Sequence, residues 1–407
     1  MAVTIVVCAD WAGLAEPLRL GLLHARRGSG PEIFEFEFDA TALAHPALEN
    51  LQLDPRLGLF EGRQYPPQGH ETFGVFADAS PDRWGRLLMR RRLERAQRAG
   101  QADKAARLQE SDYLLGVHDI YRAGALRLRL TETGEFLDNQ HGAAAPPFVQ
   151  LRELEAASLA LERDEDNTSA AAGDWLRMLI APGGSLGGAR PKASVVDPQG
   201  QLWIAKFPSV RDEHDVGAWE LVLQTLAQGC GLAVPQSLAR QFASPHHTFL
   251  VKRFDRDLVV QADDARSADA RYLRHRMVSA LTVLDAEDLV SERRNWSYLL
   301  LADELQRWSA RPTADRHELF RRMVLNALVS NMDDHPRNHA LIAPGPEFHL
   351  APVYDVTPQA ATAIDARHLA LEVGRFGRVA RRDNLVSLAP RFSFPVDEAH
   401  GIIDRMK

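Results

Sequence analysis

Disulfide-forming cysteines and long apolar segments are both scarce in this sequence. Its 407 residues include two cysteines, which are too few for a disulfide framework and are typical of a reducing cytoplasm. No apolar run approaches the roughly 18 residues that a membrane-spanning helix requires. We therefore expect a cytoplasmic protein that makes no contact with a membrane.

An excess of positive charge is also missing. The 48 Lys and Arg residues are outnumbered by 55 Asp and Glu residues, which gives a formal net charge of −7. Domains that bind nucleic acid usually carry a basic footprint, so the total charge does not indicate that class. It does not exclude a local basic patch.

Two further kinds of functional signature are absent. The sequence contains no Walker A string of the kind that binds nucleotide phosphates in P-loop proteins. Cys230, His246 and His247 lack the spacing of a metal-binding set. Neither a P-loop nucleotide site nor a zinc site is therefore indicated.

Length and composition predict two folded parts. A chain of 407 residues is longer than one ordinary hydrophobic core requires, and 45% hydrophobic with 25% charged residues is typical of folded proteins. The run Ala-Ala-Ala-Pro-Pro at 143–147 reads as a linker. We therefore predict one domain over residues 1–145 and a second over 146–407.

The first predicted domain begins with strands and continues into a basic helix. Residues 3–7 form an apolar run, and residues 32–38 alternate polar with aromatic side chains, which predicts a half-buried strand. Residues 82–98 carry seven arginines at helical spacing. They form either a solvated face with ion pairs or a surface for a partner or for phosphates. We expect Trp84 to pack this helix against the first sheet.

One polar stretch, residues 330–338, stands out in the second domain. It follows a helical pattern over 319–329, and Pro336 prevents that helix from continuing, so the stretch is predicted to be a loop. Asn338 follows Asp333 by five residues, which is the spacing of an Asp base and an Asn metal ligand in protein kinases. Taken alone, the spacing is more typical of a capped turn after a helix.

Other kinase-like features occur in the expected order. Asp355 follows Asp333 by 22 residues, after a short extended run, where kinases place a second metal-binding Asp. Upstream, Lys206 lies near the end of a predicted strand over 202–207, and a glycine-rich turn over 183–192 precedes it. Each feature is weak alone, but the four together favour a phosphotransferase.

These stretches make the chain resemble the HipA-like serine/threonine kinases, which are toxins of bacterial toxin–antitoxin pairs. The resemblance spans most of the chain and rests on Phe-Ala-Asp-Ala-Ser-Pro-Asp-Arg-Trp-Gly-Arg at 76–86, Ser-Leu-Gly-Gly-Ala-Arg-Pro-Lys at 185–192, Ala-Lys-Phe at 205–207, Val-Lys-Arg-Phe-Asp-Arg at 251–256, Asp-Asp-His-Pro-Arg-Asn at 333–338 and Tyr-Asp-Val at 354–356.

The resemblance implies an α+β fold: a two-lobed protein-kinase-like structure with a β-rich N-terminal part and an α-rich C-terminal lobe. It also implies ATP and Mg²⁺ as cofactors, with Asp333 as catalytic base and with Asn338 and Asp355 as metal ligands. The residues expected to bind ATP are Ser185, Gly187, Gly188, Ala189, Lys192, Lys206, Lys252, Arg253, Phe254, Asp255, His335, Arg337, Asn338, Tyr354 and Asp355.

Three further assignments concern single residues. Glu220, on a predicted helix, is the candidate ion-pair partner of Lys206, as in kinases at large. Ser185 matches a serine that is autophosphorylated in the resembling family, where the modification switches the kinase off. Asp334 is a rival to Asp333 as the base, and the five-residue spacing to Asn338 favours Asp333.

The resemblance further implies a protein substrate, in known members an aminoacyl-tRNA synthetase, and a small DNA-binding antitoxin through which DNA is contacted indirectly. Two alternatives remain open. One is a small-molecule phosphotransferase. The other is a non-catalytic member that binds only antitoxin and DNA, because Lys252 and Arg337 differ from the residues that relatives often carry at these positions.

Overall fold

The computed structural model describes residues 2–27, 30–49, 51–137, 146–180, 188, 190–259, 272–359 and 367–407. The chain divides into two compact units. Unit 1 comprises Met1–Gly217 and Leu238–Arg276, and unit 2 comprises Ala218–Ser237 and Met277–Lys407. These units follow spatial contacts, whereas the domains predicted at 1–145 and 146–407 follow sequence features and remain a prediction.

The strands belong to four sheets. Their bounds are β1 Ala2–Ala9, β2 Leu18–Arg26, β3 Ile33–Phe38, β4 Arg63–Gln64, β5 Leu126–Arg129, β6 Lys192–Val196, β7 Leu202–Lys206, β8 Ser237–Gln241, β9 His247–Lys252, β10 Arg256–Leu258, β11 Tyr272–Arg274, β12 Arg276–Ser279, β13 Ala340–Ala343 and β14 His349–Leu350. Their orders are β4-β3-β2-β1-β5, β6-β7-β9-β8, β10-β11 and β12-β13-β14.

The helices are found throughout the chain, so the mixed α and β composition predicted from the sequence is confirmed. The α-helices are α1 Ala40–Leu43, α2 Gly74–Asp78, α3 Arg83–Arg98, α4 Glu110–Leu115, α5 Leu151–Arg163, α6 Ala172–Ile180, α7 Val216–Gly229, α8 Ala280–Val283, α9 Tyr298–Trp308, α10 Pro312–Leu328, α11 Arg382–Val386 and α12 Val396–Met406. Among the described residues, no helix has the length and apolar character needed to cross a membrane.

The first sheet of unit 1 is antiparallel and carries the predicted aromatic core. Phe34, Phe36 and Phe38 on β3 are buried and pack with apolar residues of β1 and β2. The strand was expected to be half-buried, but Glu35 on its other face is also buried, at 2% exposure. Ion pairs with Arg26 and Arg63 cover its carboxylate, which lowers the cost of burying the charge.

Helix α3 packs against the second sheet, so the expectation that Trp84 packs on the first sheet is wrong. The indole Nε1 of Trp84 donates to the backbone oxygen of Lys192 on β6, at 3.1 Å. The ring lies in a buried cluster with Leu151, Ala193 and Ala205. Helical periodicity shows that α3 has a buried side, but it does not show which sheet covers that side.

Several arginines of α3 bind backbone oxygens of the same unit. Arg91 donates to the carbonyls of Leu161 and Asp164, and Arg95 donates to those of Asn167 and Ser169. These carbonyls lie at the end of α5 and just beyond it, where helical hydrogen bonding runs out. Part of the positive charge of α3 therefore stabilises the end of α5. The sequence had suggested only a solvated face or a binding surface for these arginines.

Unit 2 is rich in helices, as expected, and adds a small sheet. Residues from α9, α10 and α12 pack with β13 and β14 in its largest hydrophobic cluster. The helix predicted over 319–329 is present as the last part of α10. The polar loop of residues 329–339 connects α10 to β13, so a packed helix and a buried strand fix both ends of the loop.

Unit 1 contains buried ion pairs around Asp255. Its carboxylate accepts from Arg253 at 2.7 and 2.8 Å and from Arg256 at 3.0 Å. The backbone N–H of Gly124 also donates to it, at 3.1 Å. Burial alone would raise the pKa of Asp255, but the two guanidinium charges outweigh that effect and hold the pKa well below its usual value.

The Asp255 ion pairs predict a large effect on stability. We expect Asp255→Ala to lower the free energy of unfolding by about 3–5 kcal/mol, because two buried arginines would lose their counter-charge. Asp257→Ala is the control: the Asp257 side chain is 69% exposed and pairs with His275, so its loss should cost less than about 1 kcal/mol. Urea unfolding at pH 7 measures both.

The same carboxylate predicts a pH dependence. Because its folded-state pKa is depressed, its stabilising contribution is fully present above about pH 4 and is lost as the pH falls through the folded-state pKa. The free energy of unfolding of wild type should therefore fall more steeply below about pH 4 than that of Asp255→Ala. Parallel slopes would show that Asp255 does not carry this effect.

Candidate active site

The predicted polar loop begins with a backbone reversal at the end of α10. Ser330 adopts the left-handed conformation, with φ 57°, and the N–H of Asn331 donates back to the carbonyl of Asn326 at 2.9 Å. Pro336–Asn338 then form a 3-10 turn before β13. The loop expected from Pro336 is therefore confirmed, with Asp333 exposed on it.

The side chain of Asn338 connects the two predicted acidic positions. Its Nδ2 donates to the backbone oxygens of Asp333, at 3.3 Å, and Asp355, at 3.5 Å. With both N–H bonds directed at these carbonyls, the amide oxygen of Asn338 is left to serve another partner. Asp333 is exposed and Asp355 half-buried, whereas Asn338 is buried.

A second contact joins the same two segments, and the backbone at Asp355 is unusual. The hydroxyl of Tyr354 donates to the carbonyl of Arg337 at 2.7 Å. Asp355 has φ 61°, a left-handed conformation that is uncommon for residues other than glycine and is often found at functional sites. The hairpin of β13 and β14 lies between the two segments, which accounts for the 22-residue spacing from Asp333.

Asp334 lies in different surroundings from its neighbour Asp333. It is 2% exposed, and its Oδ2 accepts from the hydroxyl of Tyr298 and from His339 Nε2, the latter at 2.8 Å. Burial, together with this carboxylate, raises the pKa of Tyr298 well above its usual value, so the phenol remains a donor. Asp334 is thus enclosed in unit 2, and Asp333 is the acid of the pair that faces solvent.

Two other loop residues expected to bind ATP have contacts within unit 2. Arg337 Nε donates to Asp288 at 3.0 Å. The His335 ring lies edge-on to Trp296, with ring centroids 6.4 Å apart. Its Nδ1 is buried and finds no hydrogen-bond partner among the residues that the structure describes. ATP binding by His335 and Arg337 remains a prediction.

The cationic side chains predicted in unit 1 have different surroundings. Lys206, at the end of β7, is half-buried, and its Nζ lies 5.7 Å from the centroid of the Phe249 ring. Lys192 is buried, and its Nζ lies 2.7 Å from a carboxylate oxygen of Asp82. The charge of Lys192 is therefore used within unit 1, whereas Lys252, at the end of β9, is half-buried.

Residues 252–255, which are expected to bind ATP, alternate between half-buried and buried side chains. Arg253 and Asp255 are buried and bind each other, while Phe254 between them is half-buried. Arg253 also donates to the carbonyl of Tyr121 at 3.0 Å. These two side chains are therefore committed to the interior of unit 1, and contact of the segment with ATP remains a prediction.

The remaining predicted residues are placed only in part. Gly188 has φ 88°, a conformation that glycine adopts without strain, whereas Ser185, Gly187 and Ala189 lie outside the described residues. Glu220 is buried on α7, and its pairing with Lys206 remains a prediction.

The available oxygen ligands fit Mg²⁺. Within the described ranges, no group of three or more His, Cys, Asp or Glu side chains is arranged to hold a metal ion. Mg²⁺ commonly takes one or two protein oxygen ligands and completes its shell with water and substrate phosphates. The carboxylate of Asp355 and the amide oxygen of Asn338 are hard oxygen donors on segments that two hydrogen bonds join.

Sequence reasoning missed the residues that support the loop from behind. Tyr298, Asn326 and His339 were not singled out, although all three are buried and hydrogen-bonded in unit 2. The adjacent acids Asp333 and Asp334 were the one available signal, since two neighbouring carboxylates rarely face the same surroundings. Nothing in the sequence indicated which side chains would meet the second acid.

Comparisons with known proteins show the family. Residues 184–407 match the sequence model of the HipA-like C-terminal domain, whereas curated proteins give no sequence match. The solved complex of HipA, HipB and operator DNA from the toxin–antitoxin system of Shewanella oneidensis MR-1 is similar in fold. Its TM-score is 0.61 at 16% identity, over 96% of this chain and 86% of that chain.

A further solved structure is the proinflammatory kinase CtkA of Helicobacter pylori, with 15% identity over 52% of this chain and 82% of that chain. Its TM-score of 0.34 is too low to show a common fold. The family match covers more than half of the chain and includes Asp333, Asn338 and Asp355. The chain belongs to the HipA-like family.

Proposed function

We propose that this protein is an ATP- and Mg²⁺-dependent serine/threonine protein kinase with a two-lobed kinase-like fold, acting as a HipA-type toxin. The observation that carries the proposal is the position of Asn338, whose amide binds the backbone of both Asp333 and Asp355. A base and two hard oxygen ligands thus lie on joined segments, which is the combination that phosphoryl transfer requires.

Each acidic residue has surroundings suited to one role. Asp333 is exposed, so a hydroxyl of the acceptor protein can reach it, and its carboxylate takes the hydroxyl proton as the oxygen bonds to the γ-phosphorus and ADP leaves. Asp355 and Asn338 would hold Mg²⁺. Bound Mg²⁺ neutralises the charge that develops between the β- and γ-phosphates.

The nucleotide contacts proposed for unit 1 differ in support. Lys206 is half-buried beside Phe249, and we assign it to the phosphates. Lys192, Arg253 and Asp255 are occupied in internal ion pairs, so any part they play in ATP binding is to shape the segments that carry them. Lys252 remains a candidate for direct contact.

A DNA-binding antitoxin is the proposed partner. The Shewanella protein of similar fold was solved as HipA with HipB and operator DNA, and the chain belongs to the same family. We extend that assembly to this protein as a proposal, with indirect DNA contact through the antitoxin. The proposed substrate is a protein of the translation apparatus, such as an aminoacyl-tRNA synthetase.

The first prediction from this proposal tests Asp333 as the catalytic base. Asp333→Asn should lower the turnover of phosphoryl transfer by about 10²–10⁴-fold, because the amide cannot accept the hydroxyl proton. Affinity for Mg·ATP should change little, since Asp333 is not assigned to nucleotide binding. Asp383→Asn is the control: it also changes an exposed carboxylate of unit 2, in this case one paired with Arg381, and it should keep full turnover.

Labelled ATP and a cell lysate provide the measurement and separate the alternatives. A protein band that is labelled with wild type but not with Asp333→Asn supports a protein kinase. Mass spectrometry of that band then identifies the substrate. Label on a soluble metabolite would indicate a small-molecule phosphotransferase instead. Antitoxin binding with no transfer to either class would indicate a non-catalytic member.

The second prediction tests the metal ligand. Asp355→Asn should weaken Mg·ATP binding at least about 10-fold, the lower end of what loss of even an indirect metal contact costs. Asparagine tolerates the left-handed backbone at this position, so the lost charge, not strain, should cause the change. Asp285→Asn, at another left-handed aspartate of unit 2 with φ 50°, is the control. If calorimetric titration gives wild type and Asp355→Asn equal affinities for Mg·ATP, the metal binds elsewhere.

The third prediction concerns Ser185. We expect incubation with Mg·ATP to phosphorylate it and to lower ATP affinity, because a phosphoserine adds about −1.5 to −2 charges near the nucleotide phosphates. Arg190 and Lys192 follow Ser185 closely in the sequence and could hold this phosphate, but in the structure they pair with Asp212 and Asp82. Phosphosite mapping followed by nucleotide titration tests the switch, and an unmodified Ser185 or an undiminished affinity would rule it out.

A further inference from the structure

The loop that carries Asp333 is tied to the core of unit 2 through the residue that follows it. Asp334 Oδ2 accepts two hydrogen bonds, from the Tyr298 hydroxyl on α9 and from His339 Nε2 at the end of the loop. Both partners are buried, as is Asp334 itself, at 2% exposure. One carboxylate therefore holds the middle of the loop to its end and to a helix.

The same network reaches the start of the loop. Asn326 on α10 donates its Nδ2 hydrogen to the Tyr298 hydroxyl, at 3.0 Å. Asn331, the first residue after the left-handed turn at Ser330, donates its Nδ2 hydrogen to Asn326 Oδ1, also at 3.0 Å. The beginning, the middle and the end of the loop are thus joined by hydrogen bonds that run through two helices.

The packing behind this loop is incomplete. A cavity of about 10 Å³ lies there, room for about one water molecule. Its lining is mixed, with five polar residues among nine; the full set is Arg322, Leu325, Asn326, Asp334, Asn338, His339, Val353, Tyr354 and Val356. Atoms that border a cavity lack part of their packing contacts, so the hydrogen bonds of the network add to the contacts that position the loop.

We propose that Asp334 is a positioning residue, which sets the placement of Asp333 and Asn338 through its bonds to Tyr298 and His339. It does not touch substrate, because its carboxylate is buried and faces α9. The expected effect of Asp334 on catalysis rests on the proposed kinase function. The predicted ordering of the loop does not rest on that function.

The test compares substitutions that keep or remove the acceptor. Asp334→Ala removes the oxygen that accepts both bonds, so kcat should fall at least about 10-fold, because a displacement near 1 Å can cost about 10²-fold. The KM for ATP should change by less than about 3-fold, since Asp334 contributes no nucleotide ligand. Asp334→Asn keeps one oxygen that can accept both bonds and should restore most of kcat.

Two further variants separate positioning from general instability. Asp315→Ala is the matched control: Asp315 is a buried aspartate of unit 2 that accepts from the Leu350 N–H at 2.8 Å and from Ser309 at 2.6 Å. Its loss should lower Tm without a selective fall in kcat. Tyr298→Phe removes one of the two donors to Asp334, together with the acceptor of the Asn326 hydrogen bond, and covers the case in which Asp334→Ala does not fold. As a single substitution, Tyr298→Phe should lower kcat. Combined with Asp334→Ala, it should cause little further loss of kcat.

Hydrogen exchange gives a readout that is independent of activity. Amides of residues 331–339 should exchange faster in Asp334→Ala and Tyr298→Phe than in wild type, and at the wild-type rate in Asp315→Ala. Unchanged exchange of this segment, or an Asp334→Asn variant as impaired as Asp334→Ala, would overturn the proposal. If wild type itself transfers no phosphate, the proposed function fails, and the exchange result still decides whether Asp334 orders the loop.

Discussion

The hydrogen bonds of one amide side chain hold the candidate site together. Asn338 Nδ2 binds the backbone of Asp333 and of Asp355, which are 22 residues apart in sequence. Further contacts join the loop after α10 to the segment after β14: the Tyr354 hydroxyl donates to the Arg337 carbonyl, and the Gln359 N–H donates to the Ser330 carbonyl at 3.2 Å. The chemistry proposed for this unit depends on the bridge, because a base and a metal ligand act together only when their separation is fixed.

Buried charge in unit 1 illustrates a second constraint. Arg253 and Asp255 resemble nucleotide-binding residues in sequence, but inside the unit Arg253 and Arg256 both pair with the Asp255 carboxylate. Lys192 is likewise paired with Asp82. A charge can be buried only with a counter-charge or hydrogen bonds, so these residues support the segments on which they lie. A motif match identifies the segment, and burial then decides what each side chain contacts.

The adjacent acids Asp333 and Asp334 have opposite surroundings on one loop. The first is exposed, while the second is enclosed by Tyr298 and His339. A buried carboxylate with two donors is well suited to hold a backbone in place, and an exposed one is suited to exchange protons with a substrate. Two consecutive residues thus combine a fixed element with the proposed base.

The sequence by itself determined the secondary structure near the site, the order of the kinase-like features and the family. Periodicity, Pro336 and residue spacing are local properties, so they can be read along the chain. Tertiary structure alone decided that Trp84 packs on the second sheet, that Lys192 meets Asp82 and that Asp334 meets Tyr298. These contacts join residues 36 to 110 positions apart, and their formation depends on how the whole unit packs, which no local pattern records.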